Sequence, residues 1–556
     1  MATASRFNLP PLPDPGPDFG HHIVEAIPVW AISSEERALR LSLCRVLLDQ
    51  GHARSDCLAA AQGLLTLAFQ EEPFDATGAA LLESAEAIRP FLPPKALAML
   101  RLVRAAASLP ADDVSGDDIL ATGDPALLVR YGLAAAKDRQ NALARLAPVY
   151  RALLRLPDAS QAQAVLQAFT VNLPPLLAGR LLAEFAVLRL PPEAALAVVD
   201  GLDPQAWGLY AAIAASCLRE RLGDREGALD ACLAARRVLP YHVNLTLRAH
   251  ALAVSRPVAP EPEPDAAAVC VYSMNKAEVL RECLAHLATT RLGGAVVAVL
   301  DNGSTDHTPD VLAAAADLFP EGRFVSVRLP VNIGAPGARN WLLSLPEVKA
   351  RPFTAFVDDD AFPETDWLAR LLQTAARYPQ AGAIGCAIAD RTPPGDMQSA
   401  DYNLFPPQMG QSSLPEITER LFVCDACRTL PDDGLVAYTR PCLSVSGCCH
   451  LLRRAAIEAA GPFDIRFNPT QFDDLERDIR SWLAGYPAVY DGTVRVAHQQ
   501  ASSLAKAQTP AQTAHILGNK IKLESSVSDR DADRLWRENL AVLGRDFWEK
   551  DAALRS

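Results

Sequence analysis

The stretch Phe353-Thr-Ala-Phe-Val-Asp-Asp-Asp-Ala-Phe362 decides how this chain is read. An apolar run breaks off at three consecutive acids, Asp358, Asp359 and Asp360. A buried strand that delivers carboxylates at its C-terminal end places hard oxygen ligands at the mouth of a sheet. There they can hold a divalent cation and, through it, a diphosphate. Three adjacent acids repel one another, so a counter-charge is expected close by. The plainer alternative is a solvated turn, and the neighbouring sequence has to decide between the two.

Those neighbours form a series. Val269-Cys-Val-Tyr-Ser-Met-Asn275 reads as a short apolar strand running into polar residues, followed by a helical Ala277–Leu284. Ala295-Val-Val-Ala-Val-Leu-Asp-Asn-Gly-Ser-Thr-Asp306 is a second strand that breaks at acid, Gly and helix-capping residues. Phe324–Pro330 is a third, leading into Asn332-Ile-Gly-Ala-Pro-Gly-Ala-Arg-Asn340 and a helical Trp341-Leu-Leu. The Asp-rich strand is fourth, a helix follows near 364–377, and Gly382–Ala389 is a fifth strand. Near-continuous apolar strands alternating with helices predict a parallel sheet covered on both faces. Ligands of such sheets bind at the carboxyl ends of the strands, where the polar residues have collected.

With these pieces in place, residues 266 to about 500 resemble glycosyltransferase family 2. The resemblance rests on Val-Tyr-Ser-Met-Asn-Lys276, Asp301-Asn-Gly-Ser-Thr-Asp306, Asn332-x-Gly-x-x-x-Ala-Arg-Asn340, Asp358-Asp-Asp360 and Phe472-Asp-Asp-Leu-Glu-Arg-Asp-Ile-Arg-Ser-Trp-Leu-Ala-Gly-Tyr486. Each motif is weak alone; their order and spacing are specific. The resemblance implies an α/β GT-A (Rossmann-like, mostly parallel sheet) catalytic domain. It also implies a nucleotide-sugar donor, inversion at the anomeric carbon and a divalent cation, Mn2+ or Mg2+.

The chemistry agrees with those roles. Sugar transfer leaves a diphosphate, and a cation takes up the charge that grows on the departing oxygen. By similarity, Asp360 is the direct metal ligand and Asp358 reaches the ribose or base side as well as the metal; Asp359 is a lesser candidate. Ser273, Asn275 and Asp301 line the nucleotide-sugar side, with Asp301 on the base. An N-cap or Asx-turn role suits Ser304 and Asp306 better. Arg339 either contacts the nucleotide with its charged fork or pairs with the acidic cluster. Inversion requires a base opposite the leaving group. The resemblance assigns it to Asp474, with Asp473 beside it, where Asp473 and Glu476 replace a usual Glu and Asp. Helix N-terminal acids complementing the dipole would look the same. His498, after the strand-like Thr493–Ala497, is a metal ligand or a structural histidine. Gly447 resembles an acceptor-side glycine, and a tight turn also explains it.

At 556 residues the chain holds two or more domains, and half of it is apolar, which excludes general disorder. A net charge of −13 argues against a nucleic-acid partner. No run approaches the roughly 18 uninterrupted apolar residues of a membrane span, and the N-terminus lacks a secretory pattern. A cytoplasmic enzyme is expected. Of the 12 cysteines most read as small buried hydrophobes. Cys424-Asp-Ala-Cys427, Cys442 and Cys448-Cys449-His450 invite a zinc reading, against which stand alternating strand side chains and free thiols of a reducing compartment.

The remaining segments differ in kind. Residues 1–22 form a Pro-rich arm. Residues 23–255 are an all-α helical-repeat domain, clearest from Trp207 to Leu239. There Gly223, Ala228, Ala235 and Pro240 have the spacing of a tetratricopeptide repeat. Such an array offers a surface to a protein acceptor or partner, or packs on its own enzyme. Residues 256–265 are a Pro- and acid-rich linker, 266–500 the catalytic domain and 501–556 a helical extension. The expected activity is transfer to an acceptor hydroxyl, on a protein such as a bacterial surface or flagellar subunit, or on a glycan or lipid-linked acceptor. The rivals are a nucleotidyltransferase, whose Gly-rich basic phosphate loop is missing after the first strand, and an inactive scaffold acting through the repeats.

Overall fold

The protein is described from a computed structural model covering residues 9–16, 19, 37–108, 115–254, 258–263, 265–405, 420–425, 427, 431–499 and 510–555. Its C-terminal half is built on one sheet. The strands are β1 (Ala267–Ser273), β2 (Val296–Asp301), β3 (Phe324–Arg328), β4 (Phe353–Val357), β5 (Ala361–Pro363), β6 (Ala383–Asp390) and β7 (Met397–Ser399). They continue as β8 (Tyr402–Phe405), β9 (Phe422–Asp425), β10 (Thr439–Cys442), β11 (Cys449–Arg453) and β12 (Ala488–His498). The order β10-β12-β6-β11-β4-β1-β2-β3 is parallel from β4 through β1 and β2 to β3. The far half is mixed: β11 enters antiparallel between β4 and β6, while β12 runs parallel to β6. β8 and β9 form a separate two-stranded ribbon.

The apolar runs do what their composition requires. β2 is buried along its whole length and β1 at all but one position, because helices cover both faces. Val269, Val271, Val297 and Val299 pack against Leu280, Leu284, Val311 and Leu371 on one side. Ala268, Cys270, Ala298 and Leu300 belong to the opposite core with Ala338 and Leu342. The helix carrying Arg339 begins at Ala335, six residues before the expected Trp341. Pro336 lies in its first turn, where a missing N–H costs nothing, and so does not delay it.

Among the described residues, 37–108 and 115–253 form helices and their connecting turns, from Arg37–Gly51 to Val243–Ala253. The unit read as a repeat is a helical hairpin, Pro204–Arg221 and Arg225–Val238, turning at Gly223 with φ +78°. Ala228 and Ala235 are fully buried where the helices cross. This region packs on the sheet domain: one apolar core runs from Leu64 and Trp207 to Leu435 and Val436. Arg248 donates to the Ala437 carbonyl at 3.2 Å and Arg155 to Asp396 at 2.8 Å across the same boundary. The C-terminal helix Asp529–Arg555 binds both halves, since Lys550 donates to the Thr439 carbonyl at 2.5 Å and Asp551 pairs with Arg236. Among the described residues no helix is long and apolar enough to cross a membrane. The Pro-rich arm beyond 9–16 and residue 19, and residues 20–36, 255–257, 264 and 500–509, lie outside the described residues.

Candidate active site

The first pole of the site is a consequence of strand order. β1 and β4 are neighbours, so Ser273 at the end of one lies beside the acids that follow the other. Ser273 donates to Asp359 Oδ2 at 2.7 Å. Lys276 donates to Asp359 at 2.8 Å and to Asp360 at 3.2 Å, supplying the counter-charge that three acids require. Burial works against the lysine's charge, but Asp359 and Asp360 outweigh it and its pKa rises. β12 brings His498 alongside, paired with Ala361 of β5. Its Nε2 lies 3.0 Å from Asp360 Oδ1 and its Nδ1 2.6 Å from Gln398 Oε1. Burial disfavours the imidazolium; the hydrogen bond to Asp360 and the charge of Asp358 prevail, and its pKa lies above the ordinary range. Asp358 keeps some exposure, yet desolvation raises its carboxyl to about 7 against the pull of Arg339 and His498.

Asp301 ends β2 and is fully buried. Its Oδ1 accepts the Ser304 N–H at 2.8 Å, while Asp306 makes the Asx contact expected of it, accepting the Thr308 N–H at 3.0 Å. Its Oδ2 has no hydrogen-bond partner among the described residues, with Arg328 3.4 Å away. Asn275, at φ 55°, ties two loops together: its side-chain oxygen accepts from Thr305 N–H at 2.7 Å and its own N–H reaches Ser304 Oγ at 2.9 Å.

The second pole faces these acids. Phe472 takes φ 66° and ends its loop, and the helix Asp473–Leu483 starts at the acid pair itself. Both acids therefore sit in a first turn, where the dipole favours them. They are treated differently. Asp473 is buried and bound to Arg339 at 2.5 Å. Burial pushes its carboxyl up, Arg339 pulls it down and Asp474 adds to the rise. Asp474 accepts N–H groups from Gly447 and Leu475, each at 2.9 Å, and forms no ion pair among the described residues. Arg339 also donates to the Gly447 carbonyl at 3.3 Å and lies near the rings of Tyr272 and Phe463. Of the two readings open for Arg339, pairing with an acid is what the structure displays. That acid is Asp473, not the strand-end cluster.

One turn links the poles. Gly447 donates to Asp474, and the next residue's carbonyl, that of Cys448, accepts the Asp358 N–H at 2.8 Å. A Cβ on Gly447 would stand 2.7 Å from Asp474 Oδ2 and 2.9 Å from Arg339 Nη2, so crowding, beyond turn geometry, calls for glycine here.

Sequence reasoning does not single out Lys276, and it groups Cys448 with other cysteines. Lys276 sits in a quoted motif, and the expected counter-charge pointed towards such a residue. Cys448 stands immediately before β11, which begins at Cys449. The wider cysteine-zinc reading is corrected: Cys449 faces Cys386, whose thiol donates to its carbonyl at 3.3 Å, and His450 lies against Phe356. Alternation along β11 sends these side chains apart. Among the described residues, the group whose donor atoms approach one another within 4.8 Å is Asp358, Cys448 and His498.

Comparison with known proteins gives this arrangement a context. Residues 268–459 match the profile described as glycosyl transferase family 2. An N-acetylglucosaminyl-diphospho-decaprenol L-rhamnosyltransferase of Mycobacterium tuberculosis is 28% identical over 244 residues, which are 42% of this chain and 76% of the relative. The O-antigen biosynthesis protein RfbC of Myxococcus xanthus is 26% identical over 223 residues, 39% of this chain but only 16% of that protein. Among solved structures, GalNAc-T7 with UDP, GalNAc and Mn2+ aligns at a TM-score of 0.36 and 14% identity, covering 49% of each chain. The Pyrobaculum calidifontis mannosyltransferase PcManGT with GDP-Man and Mn2+ aligns at 0.33 and 18%, covering 58% of this chain and 85% of the other.

Proposed function

We propose that this family 2 glycosyltransferase domain moves a sugar, with inversion, from a nucleoside diphosphate sugar to an acceptor hydroxyl that Asp474 deprotonates. The observation that carries the reading is the opposition of the two poles across the Gly447–Cys448 turn. On one side acids stand at the strand ends; on the other, among the described residues, a carboxylate is held by amides and by no ion pair. Asp358, Asp360 and His498 would hold a divalent cation, Mn2+ or Mg2+. Asp360 and His498 already stand 3.0 Å apart, a separation that two ligands of one ion keep when each bond is about 2.1 Å. The ion supplies Lewis acidity towards the leaving diphosphate. The unpaired Oδ2 of Asp301 is an acceptor left for a base N–H. Ser273 and Asn275 shape the donor cleft through Asp359 and the 304–306 loop. Arg339 holds Asp473 and the Gly447 carbonyl, which leaves Asp474 to take the proton.

For the acceptor, residues 23–255 would present a protein, in the cytoplasm, to a catalytic domain at 266–500, with the arm, linker and 501–556 extension as read from sequence. A saccharide or lipid-linked acceptor is the second reading. It is favoured by the names of the two relatives and by the helical region's packing against its own sheet domain.

The test is hydrolysis and transfer of a panel of nucleotide sugars with Mn2+, with Asp474→Asn and Asp360→Ala beside the wild type. Loss of a general base costs about 10²–10⁴-fold in turnover. Asp474→Asn should therefore turn over at that deficit with donor affinity unchanged, and Asp360→Ala should lose cation-dependent donor binding. Equal turnover by wild type and Asp474→Asn overturns the assignment.

A further inference from the structure

We propose that Cys448 is itself a ligand of the cation site, binding through its thiolate with Asp358, Asp360 and His498. The site then takes a thiophilic divalent ion such as Zn2+ or Co2+ in preference to Mg2+. This deepens the cation reading above and rests on it.

Three strands place the donors. Asp358 follows β4, Cys448 precedes β11 and His498 ends β12. The pairing Cys449↔Val357 sets Cys448 next to Asp358, and the Asp358 N–H bond to the Cys448 carbonyl locks that register. The pairing His498↔Ala361 fixes the imidazole beside Asp360. The ligand atoms of Asp358, Cys448 and His498 all lie within 4.8 Å of one another. Cys448 is 7% exposed and belongs to the turn that links the poles.

A contrast with its neighbour supports the assignment. Cys283 is also close to the acids, but its thiol is spent, donating to the Ala361 carbonyl at 3.4 Å. The Cys448 thiol has no hydrogen-bond acceptor among the described residues. A sulfur aimed at a carboxylate and an imidazole with no acceptor of its own is placed as a ligand. Outer contacts also fit: Gln398 holds His498 Nδ1 and Lys276 holds Asp360, the kind of support that orients metal ligands.

Binding is balanced as a proton exchange. The S–H bond breaks, its proton leaves to solvent, and a sulfur–metal bond forms with the divalent ion. No electrons are transferred. Thiolate is a soft donor and selects borderline ions over Mg2+, which prefers oxygen.

The full-length protein would be titrated with Co2+ alone and followed by absorption. Wild type and Cys283→Ser should develop a near-ultraviolet thiolate-to-cobalt charge-transfer band, and Cys448→Ser should lack it. Zn2+ affinity should fall at least about tenfold in Cys448→Ser, the usual scale for a ligand-shell change, while Mg2+ affinity holds. X-ray absorption on zinc-loaded wild type, which needs no variant to fold, should find one sulfur at about 2.3 Å. Cobalt bound without that band, a band retained in Cys448→Ser, or a zinc shell of nitrogen and oxygen only would each overturn the proposal while sparing the cation site. Failure of Co2+, Zn2+ and Mn2+ to bind with or without nucleoside diphosphate would remove the cation reading as well.

Discussion

The two poles of the site handle their carboxylates in opposite ways. At the strand end, among the described residues, every acid but Asp358 has a cationic or imidazole partner within ion-pair distance: Asp359 has Lys276, and Asp360 has Lys276 and His498. At the helix start one arginine is spent on one acid, Asp473, and its neighbour Asp474 rests on two amide N–H groups. Charge at the first pole is offset in large part by Lys276 and His498, whereas at the second it is left on the Asp474 oxygen pair. A carboxylate locked in a buried ion pair is not free to take a proton, whereas one held by amides is fixed in direction without a counter-charge on it. Under the proposed function, the first pole would bind charge and the second would move a proton.

Arg339 is where this contrast breaks most severely. It is 5% exposed, and its partner Asp473 is 2% exposed. Removing one member of a buried pair costs about 3–5 kcal/mol, because the other charge stays behind unpaired. Arg339→Met should lower the melting temperature accordingly, and the double variant with Asp473→Leu should recover much of the loss. If Arg339→Met melts like wild type, the acceptor pole is not organised around this pair. Activity should fall further than stability, since the Gly447 carbonyl loses its donor as well.

Gly447→Ala sharpens the same contrast without touching a charge. The added methyl would meet Asp474 Oδ2 and Arg339 Nη2 inside normal contact distance. Overpacking of this kind costs about 1–3 kcal/mol. The carboxylate is the softer neighbour, so it should turn away and lose the Gly447 N–H. The expected result is a fall in kcat with little change in donor KM, measured by donor hydrolysis. A change confined to donor KM would instead place the turn at the strand-end pole.

How much of this was legible beforehand depends on the distance over which each feature is encoded. Phe353–Phe362 writes its strand and its acids in ten adjacent residues, and the structure reproduces both. The partners of those acids are encoded far away: Lys276 meets Asp359 across 83 positions, and Arg339 meets Asp473 across 134. A counter-charge could be demanded from electrostatics, but its identity required the strand order. Cys448 belongs to the Cys448-Cys449-His450 run that invites a zinc reading, but its actual neighbours, Asp358 and His498, lie 90 and 50 positions away and follow only from the strand order. The docking of the helical region was open for a different reason. A buried helical face shows the same apolar period whether it meets another helix or a neighbouring domain, and Cys217 against Gly434 is a contact no local pattern announces.

Lys276→Met tests the first pole with the smallest expected effect. The lysine side chain retains 20% exposure, so its attraction to Asp359 and Asp360 is weakened by solvent. At an effective dielectric of about 40, between the protein surface and water as suits a partly exposed charge, removing one charge about 5 Å from a bound cation changes the energy by about 1–2 kcal/mol. The sign is what discriminates. If Lys276 neutralises the acids until a metal arrives, the variant should bind Mn2+ or Co2+ more tightly, by about five- to thirtyfold on the same scale. It should also bind free nucleoside diphosphate without metal more weakly, because a cation facing the phosphates has gone. Titration of each ligand separately into wild type and variant reads both directions. Weaker binding of both would mean that Lys276 shapes the acid cluster more than it competes with the ion, and the opening contrast would have to be redrawn with a positioning role at each pole.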